Sequence, residues 1–345
     1  MNFGLPVRSY SSIPVRSRAI AAGLTALLAF AAMHATASAQ NYPDRPIRLI
    51  VPFPAGGSID MVPRALGPAM TELLGQPVVV DNRPGATGKI GVLAAKSAAP
   101  DGYSFGIANA VTHGIAPAIN SNVGYDPVND MVPVVWLGEA PNGFFVNSKV
   151  PAKSVKELAE LIRKNPGKYN YGSGGHGTGQ HVNATIFLAT TGVPQSASTH
   201  VPYKGEGPAL SDLVAGHVSY MITSGSKDLV DRGDLRLFAT TGKTRWSRYP
   251  DVPTTAEVGL PNIYYTGWVG IVAPKGTPQA VIDKINEAAN KALQDPKARQ
   301  VLAANGYEPR GGTPADFAKH LQSEAERWKK QVKETGVDFE AEEKK

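Results

Sequence analysis

Cysteine is absent from all 345 residues, which rules out a disulfide framework, a zinc–thiolate centre and a thiol nucleophile. Charge is sparse too. Asp, Glu, Lys and Arg make up 19% of the chain, too little for a coiled coil, while 42% hydrophobic residues is too much for a disordered one. No apolar run reaches the ~20 residues that a membrane-spanning helix needs. Nor does the chain contain G-x-S-x-G, G-x-x-x-x-G-K-[ST] or a paired-acid motif, so it offers no nucleophile or general base to name. What is present is a globular composition, with 36 Gly and 28 Pro scattered without period, and a length that suits roughly two domains of ~100–200 residues.

The first 39 residues read as an export signal. Arg8, Arg16 and Arg18 form a basic start without an acid, Ala19 to Met33 is Ala/Leu-rich, and Ala37-Ser38-Ala39 supplies small-x-small, predicting cleavage after Ala39. Cleavage removes three of the 35 basic residues and none of the 29 acids, leaving 32 against 29, a net +3. With no Lys/Arg run, that excess is no footprint for nucleic acid.

Strand and helix patterns alternate through the remainder. Ile47 to Phe53, Val78 to Val80 and Tyr103 to Ala108 read as buried strands, and Met61 to Leu74 and Ile90 to Ala98 as helices between them. That order predicts an α/β parallel sheet with helices on both faces. A second α/β unit starts near Phe144. Ser154 and Glu157 make a capping box, and strands follow at 169–171, 200–203 and 218–223, with helices at 180–190 and 209–215. The chain then runs through strands at 235–240 and 264–273 and helices at 279–293, 296–304 and 314–333, ending in a charged tail at 340–345.

Two glycine-rich turns carry the chemistry. Ala55-Gly56-Gly57-Ser58-Ile59-Asp60 joins the first strand to a helix, where free N–H groups bind anions; the plainer alternative is a turn in which Ser58 or Asp60 caps the helix. Gly172 to Gly177 matches G-x-G-x-x-G, but dinucleotide binding wants an acid about 20 residues on, and none occurs from Tyr169 through Gly205. What survives is a cradle of backbone donors with the Ser173 and Thr178 hydroxyls, suited to a carboxylate. His176 and His181 stand five apart, not the i, i+4 of two metal ligands on one helix face, so no metal is expected, and no cofactor. His113, His200 and His217 look isolated. Asn82-Arg83-Pro84-Gly85 and Pro100-Asp101-Gly102-Tyr103 read as structural turns, and Trp268 as a packing residue.

Taken in order, Pro46-Ile47-Arg48-Leu49-Ile50-Val51-Pro52-Phe53 with Gly56-Gly57 and Asp60, Leu74-Gly75-Gln76-Pro77, Asn82-Arg83-Pro84-Gly85, Pro100-Asp101-Gly102-Tyr103, Tyr125-Asp126-Pro127, Val201-Pro202-Tyr203-Lys204-Gly205, Asp251-Val252-Pro253-Thr254 and Ala273-Pro274-Lys275-Gly276-Thr277-Pro278 resemble the Bug-type receptors of tripartite tricarboxylate transporters. The resemblance covers nearly the whole chain after the leader. It implies a two-lobed, type II-like periplasmic binding protein, each lobe a mixed or parallel sheet flanked by helices, with the ligand in the cleft between domains. The expected division is a leader at 1–39, a first domain at 40–143 plus 235–345, and a second at 144–234.

By that resemblance, Ala55, Gly56, Gly57, Ser58 and Asp60 line one wall, Ser173, Gly175, His176, Thr178 and His181 the other, and Asn109 and Ala110 the floor, with Ser224 at the far end. Asp60, itself anionic, is expected to cap its helix or hold a bridging water. The implied partners are a small mono-, di- or tricarboxylate, aromatic ones included, and membrane permease subunits, with the receptor a periplasmic monomer that performs no chemistry. A sensor for a membrane signalling partner and an exported enzyme acting on organic acids are the alternatives. The chain departs from the family at His176, where Asn is common, at Ser219, where Asp is usual, and in a loop about two residues shorter through Ser224-Gly225-Ser226. Those departures bear on which ligand is taken.

Overall fold

The computed structural model describes Met1 and residues 42–225, 227–337 and 339. The proposed leader, its cleavage site, Ser226 and the tail from 340 lie outside the described residues. The chain divides at Asp44, and the compact unit of residues 45–345 holds all the strands and helices discussed below.

β-Branched runs set the strands in place. β1 (Ile47–Val51) lies parallel to both β2 (Val78–Asn82) and β3 (Ser104–Asn109), with Leu49 opposite Val80 on one side and Phe105 on the other. Helices Ser58–Leu74 and Lys89–Lys96 make the crossovers, as the alternation predicts. The sheet is mixed, though, because β10 (Thr266–Pro274) enters antiparallel to β3, and β11 (Glu308–Pro309) runs antiparallel to its neighbour at the far edge. β4 (Met131–Pro141), which the sequence patterns do not reveal, and the later β10 pair along nine residues, and the order is β11-β4-β10-β3-β1-β2.

One residue, Asn142, separates β4 from β5 (Gly143–Asn147), yet β5 belongs to a second sheet. That sheet runs β7-β6-β8-β5-β9, with β6 (Tyr171–Ser173) parallel to β7 (His200–Pro202) and β8 (Tyr220–Thr223), and β5 antiparallel to β8 and β9 (Leu235–Thr240). The expected boundary at 234/235 therefore falls too early. β9 is hydrogen-bonded to β5, and the chain rejoins the first sheet only at β10 (Thr266–Pro274), with β11 (Glu308–Pro309) added at the edge.

The two crossing points are tied to each other. Thr241 N–H donates to Asn142 O at 2.8 Å, Asn142 N–H donates to Thr241 Oγ1 at 2.9 Å, and Tyr265 N–H donates to Thr241 O at 2.9 Å. Both Asn142 and Thr241 are buried.

Local capping accounts for several helix starts. Ser154 Oγ accepts from Glu157 N–H at 3.1 Å, while Glu157 reaches Lys153 N–H, one residue before the cap, so the reciprocal half of the box is displaced by one position. Pro314–Thr335 opens on a complete box of Thr313 and Asp316 and packs over β4 and helix Gly179–Thr190, spanning both sheets. Trp268 is core, 1% exposed, and its Nε1–H donates to buried Glu324 at 3.0 Å. Among the described residues, no helix is long and apolar enough to cross a membrane.

Candidate functional site

The first wall is the turn between β1 and helix Ser58–Leu74. Its residues Ala55 to Ser58 are exposed, but Asp60 beneath them is completely buried. Neither Ser58 nor Asp60 caps the helix. Gly57 is the N-cap and has no side chain with which to accept from the first turn. Asp60 turns backward instead: its Oδ2 accepts from Gly56 N–H at 2.8 Å and Arg64 Nε at 2.7 Å, and its Oδ1 accepts from Asn82 Nδ2 at 2.7 Å. Burial works to raise the Asp60 pKa, but the hydrogen bonds from Arg64, Asn82 and Gly56 outweigh it and hold the carboxyl below its ordinary value. Asp60 is a fastener for the loop, and among the described residues the Ser58 N–H has no side-chain acceptor.

The floor begins where β3 ends. Asn109, 1% exposed, accepts through Oδ1 from Val111 N–H and Thr112 N–H at 3.0 and 3.1 Å, which fastens the chain into a wide π-turn over Val111–Ile115. Its Nδ2 is buried with no acceptor. Ala110 is buried beside it. His113, far from isolated, is sealed inside this turn against Thr112 Oγ1 at 2.9 Å.

The second wall is the turn from β6 into helix Gly179–Thr190. Ser173 Oγ lies 3.0 Å from both the N and O of Gly175, and Thr178 Oγ1 donates to Gly175 O at 2.7 Å, so the loop is folded on its own hydroxyls. Gly175 sits at φ +128°, where a side chain is strained. Thr178 is the N-cap but, with its hydroxyl turned to Gly175 O, supplies no side-chain cap.

Histidines crowd this wall. His181 accepts from Gly177 N–H at Nδ1, 3.2 Å away, and stacks on His200 with ring centroids 4.1 Å apart and planes 6° apart. His200 Nε2 is 2.6 Å from Ser173 Oγ, and exposed His176 stands edge-on to both rings. His200 is therefore a partner of the loop, not an isolated residue; the two histidines are 19 positions apart and only β6–β7 pairing brings them together. Burial first, then the charge of His176, pushes His181 down to about 4, and burial with both neighbouring histidines pushes His200 down to about 3. Nitrogens of the three lie within 4.8 Å of one another. The lone pairs of two parallel stacked imidazoles lie in parallel planes, so His181 and His200 do not aim at a common ion.

Ser224 lies at the end of β8, and its Oγ donates to Glu206 Oε1 at 2.7 Å; Thr223 Oγ1 donates to the same oxygen. Glu206, first residue of helix Glu206–Ala215, is a site neighbour that the patterns miss. The available signal was the abrupt end, at this residue, of the acid-free stretch from Tyr169.

The walls meet. A Cβ on Gly177 would stand 3.1 Å from Ile119 and 3.7 Å from Thr87, both first-sheet connections, and one on Gly179 would stand 2.6 Å from Tyr265 Oη. Burial foremost raises the Tyr307 phenol, with Ser58 opposing and the charge of Glu206 adding to the shift. The arrangement is two helix starts whose N-cap residues supply no side-chain cap, and it is suited to holding an anion through fixed dipoles.

Residues 62–337 match the family described as tripartite tricarboxylate transporter family receptor. Protein BugT of Bordetella pertussis is 35% identical over 313 residues, 90% of this chain and 95% of its own. Two solved structures from Rhodopseudomonas palustris are similar along almost their full length. MatC with bound malate is 31% identical at a TM-score of 0.76, covering 84% of this chain and 100% of that one; a protein solved with adipate is 34% identical at 0.78, covering 86% and 99%.

Proposed function

Because the chain belongs to the tripartite tricarboxylate transporter receptor family, we propose that it captures a small carboxylate between its two sheets and delivers it to the membrane subunits of such a transporter. One observation carries the reading: both glycine-rich turns open helices whose N-cap residues, Gly57 and Thr178, supply no side-chain cap. A carboxylate satisfies first-turn N–H groups, and the dipoles favour its charge. Asn109 Nδ2, buried without an acceptor, is a third donor in need of an oxygen. The malate and adipate held by the two R. palustris proteins belong to the same chemical class.

In this reading the leader at 1–39 directs export, the mature receptor is a periplasmic monomer, and Ser58, Ser173, Gly175 and Thr178 provide the grip. Closure of the second sheet on the first excludes water and strengthens every polar contact to the anion. His176, exposed at the rim, would meet the far end of a longer ligand.

Thermal melting against a panel of mono-, di- and tricarboxylates tests the proposal. A true ligand at 100 times its Kd adds about 2.7 kcal/mol, a rise of roughly 5 °C. A panel that leaves the melting temperature unmoved overturns it. Gly175→Val bears on the second wall. The left-handed backbone there costs a β-branched residue about 1–3 kcal/mol, so a lower melting temperature and at least tenfold weaker binding are expected, by melting and calorimetry respectively.

A further inference from the structure

Resting on that reading, we propose that Glu206 makes the site selective for carboxylates that also carry an ammonium group, at the expense of plain diacids. Its backbone is built into the second wall: a Cβ on Gly174 would lie 3.3 Å from Glu206 N. Its side chain is anchored by one oxygen only. Oε1 takes the hydroxyls of Thr223 and Ser224, and among the described residues no donor meets Oε2 and no Lys, Arg or His pairs with the charge.

Ser224 and Gly174 place this carboxylate beside the glycine-rich turn of the second wall. Burial foremost pushes the Tyr307 and Tyr265 phenols well up, and Glu206 adds to both shifts, so its charge reaches across to two tyrosines of the opposite side. Ser58, at the start of the first helix, acts on the same Tyr307 phenol in the opposite sense. A ligand carboxylate seated on the helix starts therefore has a fixed negative charge for a neighbour. Like charges repel strongly in a site shielded from water, whereas an ammonium on the same ligand both neutralises the Glu206 charge and donates to Oε2. The two hydroxyl donors make the selector rigid, because they hold the carboxylate in place whether or not a ligand is present.

Titration calorimetry on the full chain, with succinate against aspartate and glutarate against glutamate, reads the discrimination directly. The wild type should bind the amino member of at least one pair tenfold or more tightly. Glu206→Gln keeps the shape and an oxygen for Thr223 and Ser224; it should erase that preference while leaving the melting temperature of the free protein within a few degrees, and Glu206→Asp should retain part of it. Equal binding within both pairs by the wild type, or an unchanged preference in the glutamine variant, overturns the proposal while carboxylate capture stands. So does a preference for malate over succinate without one for aspartate, which would mark a hydroxyl site. Failure of all these acids, and of the wider panel, to bind would remove both readings together.

Discussion

Asp60→Ala is expected to cost about 3 kcal/mol of stability and at least tenfold in affinity for the carboxylate ligand. The carboxylate is wholly buried and takes three donors, from Gly56, Arg64 and Asn82, at 2.7–2.8 Å. Deleting it leaves Asn82 Nδ2 only its bond to Phe53 O and releases Gly56, whose N–H bond to Asp60 sets the path of the chain just before Ser58. Arg64 is 47% exposed and can turn to water, which keeps the cost at the lower end for a broken buried pair. Denaturant melts and calorimetry check the two numbers. Because the folded Asp60 pKa is depressed, its contribution is present above the ordinary carboxylate range and is lost as pH falls through the lower folded value. Asp60→Ala should therefore remove part of the acid sensitivity along with the stability. A variant that melts and binds like the wild type would show that the loop holds its shape without this fastener.

Acid should loosen the fold well before the carboxylates titrate. Burial pushes His113 and His200 down to about 3, and His181 and His320 down to about 4. In the unfolded chain each takes up a proton near 6.5; in the native fold each resists until pH is far lower. Between those limits the unfolded state binds more protons, so stability falls as pH falls, from about 6.5 down to about 4 for His181 and His320 and on to about 3 for the others. The slope is on the order of 1 kcal/mol per pH unit for each histidine within its window. Denaturation midpoints at pH 7, 6 and 5 should drop progressively, and His181→Asn, which keeps an acceptor for Gly177 N–H, should flatten the profile by about one proton. Midpoints that stay level from pH 7 to 5 would mean that these rings find water or anions to charge against.

The local parts of this architecture could be read from the chain because they rest on short-range chemistry. Ser154 accepts from Glu157 as its spacing requires, and the turns at Gly56 and Gly175 lie where strand gives way to helix. β4 escaped because Pro133, Gly138 and Pro141 punctuate it. Those residues are tolerated since β4 has only the two-residue β11 on its outer side and shifts register against β10 near Pro133. Helix Glu206–Ala215 starts three residues before the expected Ala209 because Pro208 falls in its first turn, where the ring replaces an N–H with no partner to lose.

The site was legible only where its residues are consecutive. Gly56 to Asp60 and Ser173 to His181 could be found as motifs, but the His181–His200 stack and the bonds of Thr223 and Ser224 to Glu206 join segments far apart in sequence. Even at Asp60 the residue was visible and its job was not. A carboxylate three positions into a helix looks like a cap, and only the placement of Asn82 and Arg64 around it turns it toward Gly56.

Asn142 and Thr241 knot the outgoing and returning chains together at one spot. Two flexible tethers set apart would let the halves of the molecule slide or shear; a shared knot leaves them a pivot. A substitution such as Thr241→Val, remote from both glycine-rich turns, would then act on how readily the jaws swing shut, and its imprint would fall equally on every ligand the receptor accepts.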